Sequence, residues 1–251
     1  MNTLNDKTKV YAEKIAASKY VAKELGELIK NNNALGKPTV LGLATGSSPI
    51  AMYKELIRLH KEEGLSFKNV VTFNLDEYYP MEPTSDKSYH YFMNQNLFDH
   101  IDINKDNVHI PKGTLSENEV NDFCAAYESK IDELGGLDVQ ILGIGRTGHV
   151  GFNEPGSSED SVTRMVVLNA VTIADAAPDF GGAENVPKKA ITMGVSTIMK
   201  AKKVYLMAWG EKKAEIVKES LYNDITDQVP ATYLQNHNDV EYVLDKGAAG
   251  E

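Results

Sequence analysis

The chain has 251 residues, of which 42% are apolar and 25% are charged, and its formal net charge is −10. This composition is typical of soluble globular proteins, and the negative charge argues against a general binder of nucleic acids or anionic membranes. A small anionic ligand is still compatible, because a local cluster of donors can overcome a distant and screened net charge.

The length accommodates one large α/β domain or two small ones. No internal repeat, low-complexity tract or clear linker divides the sequence, which predicts a single domain over residues 1–251. The first thirty residues lack a signal-peptide core, and no apolar stretch approaches the roughly 20 residues that span a bilayer. We therefore expect a cytoplasmic protein. The one cysteine, Cys124, excludes an intrachain disulfide and is expected in the core.

Helical and strand-like patterns alternate along the chain. The first helix is predicted from Thr8 to Lys30, with an apolar stripe formed by Val10, Ile15, Ala22, Leu25 and Ile29. Strands are predicted at residues 39–43, 70–74, 108–110, 138–144, 164–168, 203–208 and 241–244. Further helices are predicted at residues 49–61, 88–98 and 211–221, and after a capping box formed by Ser116 and Glu119.

This alternation predicts an α/β fold with an open, mostly parallel sheet and helices on both faces, a Rossmann-like three-layer sandwich. In such sheets ligands bind beyond the carboxyl ends of the strands, so the loops that follow strands are the candidate sites. Residues 175–187, with the sequence DAAPDFGGAENVP, are predicted to form an irregular segment. This segment is either a mobile lid or simply a long connection.

The first strand exit is ATGSSP, residues 44–49. The proline is expected in the first turn of a helix, where its missing N–H costs nothing. A helix N-terminus offers free amides and a positive dipole end, so this turn can hold a phosphate, with added hydroxyls from Thr45, Ser47 and Ser48 around Gly46. An ordinary serine cap explains the same residues. The turn lacks the GxxxxGK[ST] pattern, so nucleotide binding is not predicted.

The second strand exit is FNLDEYYP, residues 73–80, in which Asp76 and Glu77 follow an apolar strand directly. A carboxylate at this position could remove a proton from carbon if partial burial raised its basicity. It could equally cap the next turn or pair with a nearby lysine.

The third strand exit is LGIGRTGHVGFNEP, residues 142–155, with glycines at 143, 145, 148 and 151. Glycines permit positive φ angles and close approach of other groups to the backbone. His149 lies in this loop, and histidine is the side chain best suited to move protons near neutral pH, although it could also cap a neighbouring element. His149 and Glu154 lack HExxH spacing, so no metal site is predicted. The histidines at positions 60, 90, 100, 109 and 237 are interpreted as structural or surface residues.

These three segments together resemble the glucosamine-6-phosphate deaminase/isomerase family. The most specific matches are GLATGSSP (42–49), FNLDEY (73–78) and GHVGFNEP (148–155), supported by SYHYF (88–92) and KAITMGVST (189–197). The resemblance covers nearly the whole chain and implies an open, mostly parallel α/β sandwich. It also implies conversion of glucosamine 6-phosphate and water to fructose 6-phosphate and ammonia, without a metal, nucleotide or organic cofactor.

The resemblance further implies a role for each site residue. Asp76 matches the base that moves a proton between adjacent sugar carbons, and His149 matches the group that opens the sugar ring. Glu154 matches a carboxylate that orients or compensates this histidine. The phosphate is expected on the turn at residues 45–48, where Lys213 matches a phosphate-contacting lysine. The alternative for Lys213 is a solvated side chain at a helix start.

Two positions depart from the family pattern. Many relatives have an acidic residue where this chain has Thr147, which cannot stabilise an imidazolium by charge. A phosphate-binding arginine expected near residues 175–180 is absent, and Arg146 or Arg164 are the candidates to replace it. Arg164 also matches an effector-binding position of some members, but Val166 replaces a neighbouring lysine there, so we do not predict that regulation.

Three alternatives stay open on the sequence alone. A 6-phosphogluconolactonase-like hydrolase shares the architecture, although the glutamate beside the histidine favours the deaminase. Galactosamine 6-phosphate is a second candidate substrate. A non-catalytic sugar-phosphate sensor would need a DNA-binding module, which the roughly 35 residues before the first strand do not suggest. The expected partner is a small phosphorylated amino sugar, with no nucleic acid or membrane, and assembly into a homo-oligomer is left open.

Overall fold

A computed structural model of the protein describes residues 6–251, within which ten strands form two sheets. The strands are, in chain order, β1 (Thr8–Tyr11), β2 (Thr39–Leu43), β3 (Val70–Asn74), β4 (Asp76–Tyr79), β5 (Val108–His109), β6 (Val139–Leu142), β7 (Arg164–Val167), β8 (Lys189–Thr192), β9 (Lys203–Ala208) and β10 (Val240–Asp245).

The α-helices are, in the same order, α1 (Lys14–Ala34), α2 (Ile50–Glu63), α3 (Tyr89–Asn96), α4 (Glu117–Glu133), α5 (Ala170–Phe180), α6 (Val195–Met199), α7 (Ala214–Tyr222) and α8 (Lys246–Ala249). Short 3₁₀ helices cover Phe98–His100, Lys105–Asn107, Ala183–Asn185, Glu211–Lys213 and Pro230–Asn236. None of the helices within residues 6–251 has the length and apolar character needed to cross a membrane.

The larger sheet has seven strands in the order β1-β10-β9-β6-β2-β3-β5, and every pair is parallel. Every residue of β2, β3 and β6 is buried, as expected for strands covered on both faces. The predicted fold class, a mostly parallel sheet with helices packed around it, is confirmed.

The strand order reverses direction at β2. The chain runs from β2 to β3 and β5 on one side, and then crosses back to place β6 on the other side of β2. The loops that follow β2 and β6 therefore diverge and leave a crevice at the carboxyl edge of the sheet, which is where α/β sheets of this kind bind ligands.

The second sheet has three antiparallel strands in the order β4-β8-β7. The predicted strand at residues 164–168 is present as β7, but it belongs to this small sheet and not to the parallel one. Strand β4 was not predicted, because only Leu75 separates it from β3. Strand β4 pairs with β8, and Asp76 lies opposite Thr192. The second strand exit is therefore a β-strand and not a loop.

The prediction of a helix from Thr8 is wrong in its first part. Residues 8–11 form β1, which pairs in parallel with β10 at the edge of the larger sheet, and Val10 lies opposite Leu244. The helix begins only at Lys14, and Ile15 is 47% exposed, whereas Ala22, Leu25 and Ile29 of the predicted stripe are buried. The remaining predicted elements lie close to their expected bounds, and the buried Cys124 confirms its core position.

The prediction of an irregular segment at residues 175–187 is also wrong for its first half. Residues 175–180 belong to α5, which begins after Asn169, whose side chain accepts a hydrogen bond from the Val171 amide at 2.9 Å. The helix ends at Gly181 in the left-handed conformation, φ 70°. Pro178 lies inside the last turns of the helix. Closure of this segment as a lid stays a prediction.

Candidate active site

A cavity of about 250 Å³ lies where the loops after β2, β3, β6 and β9 meet. All three strand exits singled out in the sequence contribute to it. Its walls are formed by Ala44, Thr45, Gly46, Ser47, Ser48, Leu75, Asp76, Tyr89, Gly143, Ile144, Gly145, His149, Gly151, Phe152 and Lys213.

The turn after β2 forms one wall. Gly46 has a φ of 84°, a conformation that side chains with a Cβ rarely adopt, and α2 begins at Ile50 immediately after the turn. The Trp209 indole donates a hydrogen bond to the Ser48 carbonyl at 3.0 Å, which ties the turn to the exit of β9. The turn lines the cavity and leads directly into the 14-residue helix α2, and the free amides at a helix N-terminus can bind a phosphate. Phosphate binding by residues 45–48 stays a prediction.

Asp76 lies on the opposite wall and is only 6% exposed. Burial raises the pKa of its carboxyl to about 8, and the charge of Glu77 adds to this rise. Within the described part of the chain, no hydrogen-bond donor satisfies the Asp76 carboxylate. A buried carboxylate without donors is a stronger base than one in water, which suits it to proton abstraction.

His149 faces the same cavity from the loop after β6. Its Nδ1 lies 2.9 Å from the Thr147 hydroxyl oxygen and 3.5 Å from Glu154 Oε2. Glu154 lies behind the ring and does not line the cavity. Burial lowers the pKa of His149, the Glu154 carboxylate opposes that effect, and Lys213 adds to the lowering. Because Nδ1 contacts Thr147 and Glu154, the other ring nitrogen, Nε2, is the one that can exchange a proton with a ligand when the imidazole is neutral.

Two glycines of this loop are required by close approach. A Cβ on Gly145 would lie 2.0 Å from the His149 ring, so any larger residue would displace the imidazole. Gly151 has a φ of 58°, and a Cβ there would lie 3.3 Å from the Asp76 carboxylate. The backbone is therefore bare where His149 and Asp76 approach it, as the glycine spacing in the sequence predicted.

Lys213 and its neighbour Lys212 occupy different environments. Lys213 lines the cavity, is half-buried and donates a hydrogen bond to the Ile144 carbonyl at 2.7 Å, whereas Lys212 is exposed. Burial lowers the pKa of Lys213, and the negative charge of Asp175 opposes this lowering. The alternative in which both lysines are solvated is wrong for Lys213.

Neither candidate arginine lines the cavity. Arg164 donates to Asn153 Oδ1 at 3.0 Å and to Ser157 Oγ at 3.2 Å, and neither of these residues lines the cavity. Arg146 is exposed and pairs with Asp175 of α5 at 2.7 Å. The charges of this ion pair act on Lys213 in opposite directions, because Asp175 raises the pKa of Lys213 and Arg146 lowers it.

Tyr89 is a site residue that sequence reasoning missed. It is the first residue of α3 and lines the cavity together with Thr45. Its ring stacks on Phe152 with 6.0 Å between ring centroids. The signal was present in the motif at residues 88–92, where a serine cap places the following tyrosine at a helix start.

The contact between Thr147 and His149 leads to a first prediction. Replacing Thr147 with Asp should raise the pKa of His149 by roughly one unit, because a second carboxylate favours the imidazolium. An NMR titration of the histidine ring measures this directly. Thr147→Ser keeps the hydroxyl and serves as the matched control, which should titrate like the wild type. An unchanged His149 pKa in Thr147→Asp would show that residue 147 does not act on the ring.

The comparisons with known proteins agree with one another. The family model described as glucosamine-6-phosphate isomerases/6-phosphogluconolactonase matches residues 12–243. The chain belongs to this family. A glucosamine-6-phosphate deaminase of Thermoanaerobacter sp. (strain X514) is 49% identical over 229 residues, which are 91% of this chain and 90% of that protein.

A second relative is longer than this chain. A glucosamine-6-phosphate deaminase-like protein of Bacteroides thetaiotaomicron is 44% identical over 96% of this chain, which spans only 36% of that protein's length.

Among solved structures, a monomeric glucosamine-6-phosphate deaminase superposes on this chain with a TM-score of 0.92 and is 41% identical in sequence. The match covers 97% of this chain and 99% of that one. The 6-phosphogluconolactonase from Trypanosoma brucei has a TM-score of 0.78 with 22% identity over 97% of each chain, which shows a shared fold alone.

Proposed function

We propose that this chain converts glucosamine 6-phosphate and water into fructose 6-phosphate and ammonia. The observation that carries the proposal is that Asp76 and His149 line one cavity, together with the turn after β2 and Lys213. A base for a carbon-bound proton, a neutral proton shuttle and an anion-binding wall thus surround one small molecule. The relatives named as glucosamine-6-phosphate deaminases support the choice of substrate.

The first chemical step is opening of the sugar ring. His149, neutral near pH 7 because of its burial, takes the anomeric hydroxyl proton and returns it to the ring oxygen. The imidazolium formed in between is stabilised by the Glu154 carboxylate, 3.5 Å from Nδ1. Thr147 holds the ring in place through its hydroxyl.

The second step is the transfer of hydrogen from one sugar carbon to its neighbour. Asp76 removes the proton from C2 and delivers it to C1, while a proton passes from the amino nitrogen to the C1 oxygen, so that C1 becomes an alcohol and C2 an imine. Water then adds at C2 and ammonia leaves, so that the keto sugar remains. The raised pKa of Asp76, about 8, makes it basic enough for this transfer.

Substrate binding uses the other end of the cavity. The phosphate lies against Thr45, Gly46, Ser47 and Ser48 at the start of α2, where amides and hydroxyls donate, and the ammonium of Lys213 supplies a positive charge. A cytoplasmic location and self-association, both considered from the sequence, remain predictions.

The direct test compares substrates on the purified protein without added metal. We expect release of ammonia and fructose 6-phosphate from glucosamine 6-phosphate with a kcat/KM of at least about 10⁴ M⁻¹s⁻¹. Galactosamine 6-phosphate and 6-phosphogluconolactone are assayed in parallel as the competing substrates. A folded protein that hydrolyses the lactone and releases no ammonia would contradict the proposal.

A further inference from the structure

Glu77 is a buried carboxylate directly beside Asp76. It is 2% exposed and accepts three backbone hydrogen bonds, from the amides of Tyr78 at 2.9 Å, Tyr89 at 3.0 Å and His90 at 3.0 Å. Two of these amides are the first of α3 and have no partner within the helix. Glu77 therefore caps α3 from a neighbouring strand.

The two adjacent carboxylates of β4 have different surroundings. Consecutive side chains of a strand point to opposite faces. Asp76 faces the catalytic cavity, whereas Glu77 lines a second cavity of about 400 Å³ together with His90 and Lys112. The carboxylate with donors is thus turned away from the site, and the one without donors is turned towards it.

The charges of these two groups are linked. Burial raises the pKa of Glu77 to about 7, with its three amide donors opposing the rise, while the pKa of Asp76 reaches about 8 partly because of the Glu77 charge. The phenols of Tyr78, Tyr89 and Tyr127 also interact electrostatically with Asp76, but phenols stay neutral in this range. Across the cavity stand the nitrogen bases His149 and Lys213.

The helix start that Glu77 holds carries a residue of the site. Tyr89 lines the catalytic cavity together with Thr45, and its ring centroid lies 5.0 Å from that of Tyr78. Movement of the first turn of α3 would therefore move one wall of the catalytic cavity. Glu77 reaches that wall through Tyr89 without lining the cavity.

We propose that Glu77 is a positioning residue of the active site, which anchors Tyr89 through the start of α3 and places a negative charge beside Asp76. Its kinetic readout depends on the proposed function, whereas its effect on the titration of Asp76 does not. The two can therefore fail separately.

The test compares Glu77→Gln, Glu77→Asp and a control in which another helix loses its capping carboxylate. Glu119→Gln is that control, because Glu119 caps α4 through Ser116 at an exposed position. Two quantities are measured for each protein: the pH dependence of kcat/KM on glucosamine 6-phosphate, and the carboxyl titration of Asp76 by ¹³C NMR, assigned with Asp76→Asn.

In Glu77→Gln we expect the acidic limb of the pH profile and the Asp76 titration to move down by about one pH unit, because a neighbouring negative charge is lost. We expect the plateau of kcat/KM to fall by roughly tenfold as the base weakens. Glu77→Asp should keep the wild-type titration, and Glu119→Gln should match the wild type in both quantities.

Unchanged titration of Asp76 in a folded Glu77→Gln, or an equal shift in Glu119→Gln, would overturn the proposal. If Glu77→Gln does not fold, the test is made on the wild type. The ¹³C titration curve of Asp76 must then show a second inflection at the pH where Glu77 titrates. A single inflection would overturn the proposal equally. A wild type without deaminase activity would contradict the proposed function and leave the titration result to decide on Glu77.

Discussion

Asp76→Asn should lower kcat by roughly 100- to 10,000-fold, the range that a positioned general base contributes. Asparagine keeps the size of the side chain but cannot accept the proton from C2. Binding should change much less than turnover, because Asp76 acts on carbon and the phosphate end of the cavity is untouched. Steady-state release of ammonia from glucosamine 6-phosphate measures the loss.

The same substitution should stabilise the protein at high pH. The pKa of Asp76 is raised from 3.8 to about 8 by burial, so the folded protein holds a proton that the unfolded chain releases. The stabilisation from this proton is complete below about pH 4 and is lost as the pH rises through 8. Asparagine carries no such charge. We therefore expect Asp76→Asn to exceed the wild type by roughly 1–3 kcal/mol in free energy of unfolding at pH 8.5.

Thermal melts of both proteins at pH 5 and pH 8.5 follow this effect, at roughly 2–4 °C per kcal/mol for a chain of this size. Asp122→Asn, at an exposed position of α4, is the matched control and should change neither activity nor the pH dependence of Tm. Full activity in a folded Asp76→Asn would contradict the role of Asp76 as the base. A stability difference between the two proteins that shrinks as the pH rises would contradict the raised pKa of the buried carboxyl.

Lys213→Met should raise KM by roughly 10- to 100-fold with little change in kcat. A charge-assisted hydrogen bond contributes about 1.5–3 kcal/mol, and each 1.4 kcal/mol is tenfold in affinity. An interaction made equally in the ground state and the transition state affects KM alone. Methionine retains the length of the side chain and removes its charge, so packing around Ile144 is disturbed little.

Lys212→Met is the control, since the adjacent lysine is exposed and lies outside the cavity. Its kinetic constants should stay within about twofold of the wild type, as is usual for surface changes. Inhibition by inorganic phosphate provides a second measurement and should weaken only in Lys213→Met. Equal KM values in the two variants would place the phosphate elsewhere, and Arg146→Met would then be the next variant to measure.

The sequence predicted the parallel core of the fold well and the small antiparallel sheet poorly. Strands such as β2 and β3 are continuous apolar runs, which follow from burial on both faces. Strand β1 has only four residues and pairs with β10 at the far end of the chain, so no local pattern separates it from the helix that follows. Strand β4 begins with Asp76 and Glu77 and therefore lacks a continuous apolar run, although Tyr78 and Tyr79 pack into small apolar clusters.

The candidate site was predictable where motifs follow strands, and less so where distant elements contribute. Asp76 and His149 were found because carboxyl ends of parallel strands converge. Tyr89 enters the cavity through α3, whose first amide donates a hydrogen bond to the buried Glu77, and we propose that this contact positions the helix. That dependence is a contact between residues in two elements, and neither segment alone indicates it. The helical state of residues 175–180 was obscured by Pro178, although Asn169 and Gly181 mark its two ends.

The chain contains one tryptophan, and its indole is hydrogen-bonded to the Ser48 carbonyl. Intrinsic fluorescence thus originates from a single point beside the anion-binding turn, without labelling or engineering. In Asp76→Asn, which should bind sugar without consuming it, quenching or an emission shift gives an equilibrium dissociation constant. Ligand occupancy and turnover can then be recorded independently on the same protein.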